Sequence, residues 1–412
     1  MPPHRSTEHV QASRWFSLPA LGSLFIYSAA VALSMLLATA PGATARPVIP
    51  SNLAVDIRVP SVPQAVTANG KTHAVYELYL TNFSHQALRL QSINVTDDKG
   101  AQDIVTYSGE ALMAALGGLG RPPDLKDKLV IGAGLSVVMF LDVKTSSLSG
   151  MPSALIHRVA FAKTEKLTDA DATIEGYRVS VDKRLPVALA SPLRGNGWVA
   201  SHALSNTSLH RRSVVFVDGR PWLAQRFAID FIRIGSNGQA FLGDPSVNRN
   251  WAPYGATVFA VGDGRIVGLQ DWIPENDPTA SKKAVSINLQ TAAGNYLIVD
   301  LGGGNFALYA HLQPRSFRVH LGDRVKQGEA LALLGNSGNS DAPHLHFQIM
   351  NANSPLEADG RPYVFRAFTV EGTLPSLTVL ADGKGWRPSR PVGSLRHDDL
   401  PTENEVLDFA PE

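Results

Sequence analysis

The sequence predicts a mainly β protein of two folded domains, with a leader before them and a polar tail behind. Three observations carry this. Short runs of alternating apolar and polar residues recur from about residue 52 to residue 373, the period of strands with one face buried. Glycine (35) and proline (27) are plentiful and fall between those runs, where tight turns need them. At 412 residues the chain exceeds what one hydrophobic core ordinarily serves.

The leader is read first. His4, Arg5 and Arg14 precede an apolar run from Trp15 to about Ala40, which ends in the small-x-small site Ala43-Thr44-Ala45. That order of charge, apolar stretch and cleavage site predicts a secretory signal peptide over residues 1–45. The run is also long enough to span a bilayer, so an uncleaved anchor is the rival reading. Pro19 and Gly22 interrupt its first part and favour cleavage. Either way the expectation is an exported protein of the periplasm, cell envelope or extracellular space.

Residues 46–185 form the first expected domain. Strands are predicted at 74–80, 88–95, 135–143, 155–161 and 177–181, with turns at Asn69-Gly70, Lys99-Gly100 and Gly132-Ala133-Gly134. Strands at this spacing suggest an immunoglobulin-like β-sandwich, with one short helix at 109–116. Its histidines, His73, His85 and His157, are scattered and read as surface or strand-end residues. Asn82 and Asn94 begin short matches to the glycosylation acceptor pattern, which chance produces often.

A Pro, Ala, Ser and Gly-rich stretch at 186–197 reads as a linker, and the second domain runs over 198–373. Its predicted strands are 257–261, 264–269, 284–289, 295–300, 306–311 and 330–334. A polar loop at 271–283 is long enough to be either a functional wall or a plain surface excursion. Residues 374–412 form a C-terminal extension, apolar at 377–380 and polar beyond Asp382, where disorder is expected.

Composition narrows the chemistry. Apolar residues at 44% and charged residues at 18% suit a globular protein. A net charge of +1 gives no electrostatic reason to expect nucleic acid. With no cysteine there is no disulfide, thiolate nucleophile or cysteine-held metal, so any metal must rest on His, Asp or Glu.

The most informative segment is 336–347, Asn-Ser-Gly-Asn-Ser-Asp-Ala-Pro-His-Leu-His-Phe. A turn-rich loop runs into a strand with His344 and His346 on one face and Leu345 and Phe347 on the other. Two such imidazoles can share a metal, or one can ligate while the other handles a proton. Upstream lie Tyr309-Ala310-His311-Leu312, then Gly322-Asp323-Arg324-Val325-Lys326-Gln327-Gly328-Glu329, then Leu334-Gly335-Asn336-Ser337-Gly338. From Val258 to Phe347 this ordered run resembles the lysostaphin-type zinc metallopeptidases, which act on bacterial cell-wall peptidoglycan.

The resemblance implies a β-rich peptidase domain and a zinc-activated water that attacks a peptide bond of the wall. By position it makes His346 and Asp230 metal ligands, and His311 and His344 the catalytic pair. It also exposes a departure. The family's His-x-x-x-Asp segment matches Arg226-Phe227-Ala228-Ile229-Asp230, with Arg226 where a ligand histidine is expected. Arginine has no lone pair to give, and catalytic zinc sites use three protein ligands. His210 or His202 is the candidate replacement, or His344 or His311 moves from catalysis to ligation. The opposing reading pairs Arg226 with Asp230 and abolishes the metal. The chain would then be a wall-binding protein, or a regulator partnered with another wall hydrolase. A third class, a carrier or phosphotransfer domain, fits poorly with the flanks of Lys326 and with the leader.

Overall fold

The computed structural model describes residues 52–100, 102–118, 127–162, 172–380, 385–388 and 393–410. The leader expected over 1–45 lies outside them. The fold is mainly β.

The first region consists of two antiparallel five-stranded sheets. One holds Val55–Arg58, Ala65–Ala68, Lys71–Asn82, Leu116–Gly118 and Ser136–Thr145. The other holds Leu88–Thr96, Asp103–Ser108, Val130–Ile131, Ala154–Phe161 and Thr173–Ser180. Alternate residues Ala74, Tyr76, Leu78 and Leu80 meet Ile93, Val95, Val159 and Phe161 in a shared core. The helix Gly109–Ala115 lies where the sequence predicts it. Asn82 is fully buried, with its amide on the carbonyls of Gln86 and Ile131, so it is no glycan acceptor. Two histidines expected at the surface are also buried, because each finds a partner. His157 donates from Nδ1 to the Tyr177 carbonyl (3.0 Å) and accepts the Tyr76 hydroxyl at Nε2 (2.6 Å). Burial holds its pKa down to about 4, so the ring is neutral. His73 pairs with Asp142 at 2.9 Å.

The second region is built on an eleven-stranded sheet. Its order is Val187–Leu189, Tyr363–Thr373, Glu405–Phe409, Gly195–Ser201, Ile229–Arg233, Leu345–Met350, Phe306–Leu312, Asn295–Asp300, Gly264–Gln270 and Arg324–Val325, with Ser394–Asp399 also paired to Tyr363–Thr373. Phe231, Tyr309, Leu345, Phe347, Tyr363, Phe365 and Phe409 build the main core on one face.

Three expectations need correction here. The stretch 186–197 is no free linker, since Val187–Leu189 and Gly195–Ser201 both enter this sheet. The polar tail also folds into it. Few apolar residues remain there, but Leu400, Val406, Leu407 and Phe409 are all buried, and Arg396 joins the buried Asp399 and Glu405. Residues 284–289 form no strand. Asn288 instead accepts the amides of Gln290 and Thr291, and the resulting turn competes with sheet pairing.

The strand Lys71–Asn82 is buried on both faces, and its second face meets the second region. Val75 joins the main core, and Glu77 is buried between two arginines. Arg226 donates from Nη2 to Glu77 Oε2 at 2.7 Å and from Nε at 3.1 Å to Oε1. Arg211 bonds the same carboxylate through Nη1 and the Tyr76 carbonyl through Nη2 at 2.8 Å. Around them Val138, Phe140 and Leu223 exclude water.

Burial pushes the Glu77 carboxyl up, but the charges and hydrogen bonds of Arg226 and Arg211 prevail and hold it at about 2. An unfolded glutamate titrates near 4.3, so this stabilisation is complete above about pH 4.5 and fades as pH falls toward about 2. Glu77→Gln is expected to lose on the order of 3 kcal/mol of folding stability at neutral pH. Denaturant titrations should show the gap to the parent closing across that acid window. A gap of constant size would mean Glu77 carries no charge in the folded protein.

Candidate metal centre

The cluster starts from strand register. Asp230 lies directly opposite His346 across the Ile229–Arg233 and Leu345–Met350 pair, and His346 lies opposite Ala310 on the other side. Those three positions share one face, and the small Ala310 leaves room above it. Phe231, Leu345 and Phe347 point the other way into the core, so the core holds the face steady. His210 reaches the same place from the short 3₁₀ turn His210–Arg212. One ligand-type atom each from His210, Asp230 and His346 lie within 4.8 Å of one another.

Hydrogen bonds to the outer sides of the rings fix which nitrogens face inward. His210 Nδ1 lies 3.1 Å from the His202 carbonyl and 3.2 Å from the Ala228 carbonyl. Carbonyls only accept, so Nδ1 carries a proton and Nε2 is the nitrogen turned to Asp230 Oδ2, 3.2 Å away, the atom that would offer a lone pair to a cation there. His346 Nε2 donates to Gln348 Oε1 at 2.8 Å. The Gln348 amide nitrogen is directed at the Pro355 carbonyl (3.4 Å), which sets that orientation. Nδ1 of His346 is then the lone-pair atom, 2.9 Å from Asp230 Oδ1. Burial lowers the pKa of His346 and keeps the ring neutral. Asp230 stays ionised: burial raises its pKa, but His210 and His344 outweigh burial and hold it well below the usual carboxylate range. Acceptor atoms therefore converge on one point, an arrangement that a shared cation satisfies and that suits a divalent metal with N and O ligands.

Two more histidines stand beside this point. His344 donates from Nδ1 to the Ala342 carbonyl (2.8 Å), and its Nε2 lies 3.4 Å from Asp230 Oδ1. Burial lowers its pKa, but the Asp230 charge outweighs that and raises it. His311 donates from Nδ1 to the Ser337 carbonyl at 2.8 Å, and burial drives its pKa well below the ordinary value. Its backbone takes the left-handed φ of 61°, a strained state for a residue with a side chain. The two rings have centroids 4.7 Å apart. All five residues line a cleft of ≈ 420 Å³, together with His202, Gln225, Leu209, Leu356 and Leu377.

The loop at 271–283 is tied to this cleft. The Asn276 amide donates to the carbonyls of Gly338 and Ser340, and Glu275 bridges Ser337. Gly338 has φ +76°, and a Cβ there would collide with the Gly294 backbone. The loop thus shapes the 336–342 segment, whose Ser337 and Ala342 carbonyls hold His311 and His344.

Arg226 is not in the cluster. The pair with Asp230 that the opposing reading required does not form; Arg226 turns to Glu77, Asp359 and the Gly360 carbonyl. His210, read from sequence as a candidate replacement ligand, is buried and faces Asp230. Gln348 was missed, although its place two residues past His346 puts it on the same face.

Comparison with known proteins bears on the histidine-rich part of this face. Residues 250–358 match peptidase family M23. The match to this family is confined to that segment. That match contains His311, His344 and His346 but neither His210 nor Asp230, which join the M23 residues through the fold. Peptidoglycan DD-endopeptidase ShyB of Vibrio cholerae serotype O1 is 30% identical over 106 residues, 26% of this chain and 20% of its own length. Murein hydrolase activator EnvC of Escherichia coli K12 is 32% identical over 98 residues, 24% of this chain and 19% of its own. The chain thus spans about a fifth of the length of these two relatives. The crystallised catalytic domain of lysostaphin from Staphylococcus simulans is 26% identical, covering 31% of this chain and 86% of its own, with a TM-score of 0.18.

Zinc analysis after dialysis of His210→Ala, Asp230→Asn and His346→Ala should each show loss of most bound metal relative to the parent. Arg226→Met should be less stable yet keep its zinc. Full metal retention by His210→Ala would remove that residue from the site.

Proposed function

We propose that this chain is an exported zinc endopeptidase that hydrolyses peptide bonds of bacterial peptidoglycan. One observation supports it above the rest: His210, His346 and Asp230 aim ligand-type atoms at one point beside two further histidines in an open cleft. His210 Nε2, an Asp230 carboxylate oxygen and His346 Nδ1 would hold the zinc. A bound zinc ion supplies Lewis acidity toward a carbonyl oxygen and brings the pKa of water toward about 7.

The remaining steps fall to the chain's own groups. His311 and His344 are each anchored through Nδ1 on a backbone carbonyl, which leaves Nε2 of each to work in the cleft. One Nε2 accepts the proton of the attacking water; the other donates to the oxygen that gains charge or to the departing amine. Leu209, Leu356 and Leu377 give the cleft apolar walls for the substrate's side chains. The names of the M23 relatives and the expected leader support a wall peptide as substrate and action outside the cytoplasm.

The metal-free reading, a wall-binding protein or a regulator of another hydrolase, rested on Arg226 blocking Asp230. The Glu77 pairing of Arg226 supports a structural role for that arginine instead.

His344→Ala should keep near-parental zinc and slow solubilisation of purified peptidoglycan by about 10²–10⁴-fold. Mass analysis of the released fragments should show cut peptide bonds and intact glycan strands. A zinc-loaded parent that releases no fragments, while still sedimenting with the wall, would instead favour the binding role.

A further inference from the structure

The residues 206–212 have anchors in two directions. Toward the cleft, His210 binds the His202 and Ala228 carbonyls and faces Asp230. Toward the two-sheet region, the adjoining side chains bury themselves in the seam. Arg211 is 1% exposed and holds Glu77 and the Tyr76 carbonyl. Arg212 donates to the Leu116 carbonyl (3.2 Å) and to that of Ala114. The Asn206 amide donates to the Phe140 carbonyl at 2.6 Å. Both guanidinium groups lie 4.9 Å over the Phe140 ring.

The other two candidate ligands are held differently. Asp230 and His346 sit opposite each other on adjacent strands, and their geometry follows from the sheet. His210 lies on a three-residue turn outside any sheet. Its own ring rests on two carbonyls, and its neighbours Arg211 and Arg212 grip the first region.

We propose that the two-sheet region is part of the metal centre: Arg211, clamped by Glu77 and supported by Asn206, positions His210 as the third ligand. This rests on the zinc-site reading above. Arg211 touches no substrate and is a positioning residue. The first region then acts on the site without lining it, by holding one ligand in place while the sheet holds two. A site reduced to two well-placed ligands falls short of what catalytic zinc requires.

The test uses the full chain and measures zinc affinity by competition with a chromophoric chelator. Arg211→Met leaves Glu77 paired with Arg226 and fills the space with an apolar chain. Its zinc affinity should fall about 10–100-fold, as for other groups that orient a ligand, with the circular dichroism spectrum unchanged. Arg211→Lys should recover part of the loss. In a His210→Ala background, Arg211→Met should cause no further loss, since its effect runs through that ring. Leu90→Ala, in the core of the same region, should lower stability and leave zinc affinity alone. If Arg211→Met does not fold, Asn206→Ala decides, with an expected loss of several-fold. Parental affinity in the folded variants, or an equal loss with and without His210, overturns the positioning role while the zinc site stands. A parent that binds no zinc overturns both.

Discussion

A carboxylate buried at a seam needs cations, and Glu77 has two. Much of this molecule follows from that requirement. Charge removed from water is costly unless it is paired and hydrogen-bonded, so the strand that carries Glu77 draws in Arg211 and Arg226 from the second region. Arg226 is thereby committed away from Asp230. Arg211 fixes the turn whose first residue is His210. The ion cluster and the cleft are thus two ends of one arrangement, joined by adjacent residues of the chain.

At the cleft the controlling factor is where the protons sit. Each ring is tethered on its outer side by an acceptor: backbone carbonyls for His210, His311 and His344, and a side-chain amide oxygen for His346. An imidazole that gives its one proton outward offers a lone pair inward. These outer acceptors, three from the backbone and one from Gln348, therefore set which nitrogen of each ring faces the cleft.

Much of this was legible in the sequence, and the failures have physical causes. The M23 strands follow a two-residue period that survives because one face is the core, and His344, His346, His311 and Asp230 could be read from ordered motifs. The strand Lys71–Asn82 was found, but a sequence cannot say that its second face is also covered. Nothing in the sequence therefore marks Glu77 as buried. The seam also hid Arg226's partner, which lies 149 positions away. His210 was only a candidate because a ligand on a 3₁₀ turn leaves no periodic signature. The last strands were missed because a polar composition masks four well-placed apolar residues, Leu400, Val406, Leu407 and Phe409.

The placement of Glu405–Phe409 has a consequence for the order of assembly. It pairs with Gly195–Ser201, which in turn pairs with the strand of Asp230. A chain that emerges N-terminus first therefore displays its clustered histidines before the inner flank of their sheet exists. Until residues 405–409 arrive, Gly195–Ser201 has an open edge, and the scaffold beneath the cleft is incomplete. Topology alone thus separates the making of the reactive groups from the moment they are rigidly held, and it makes late-emerging residues gatekeepers for a centre they never touch.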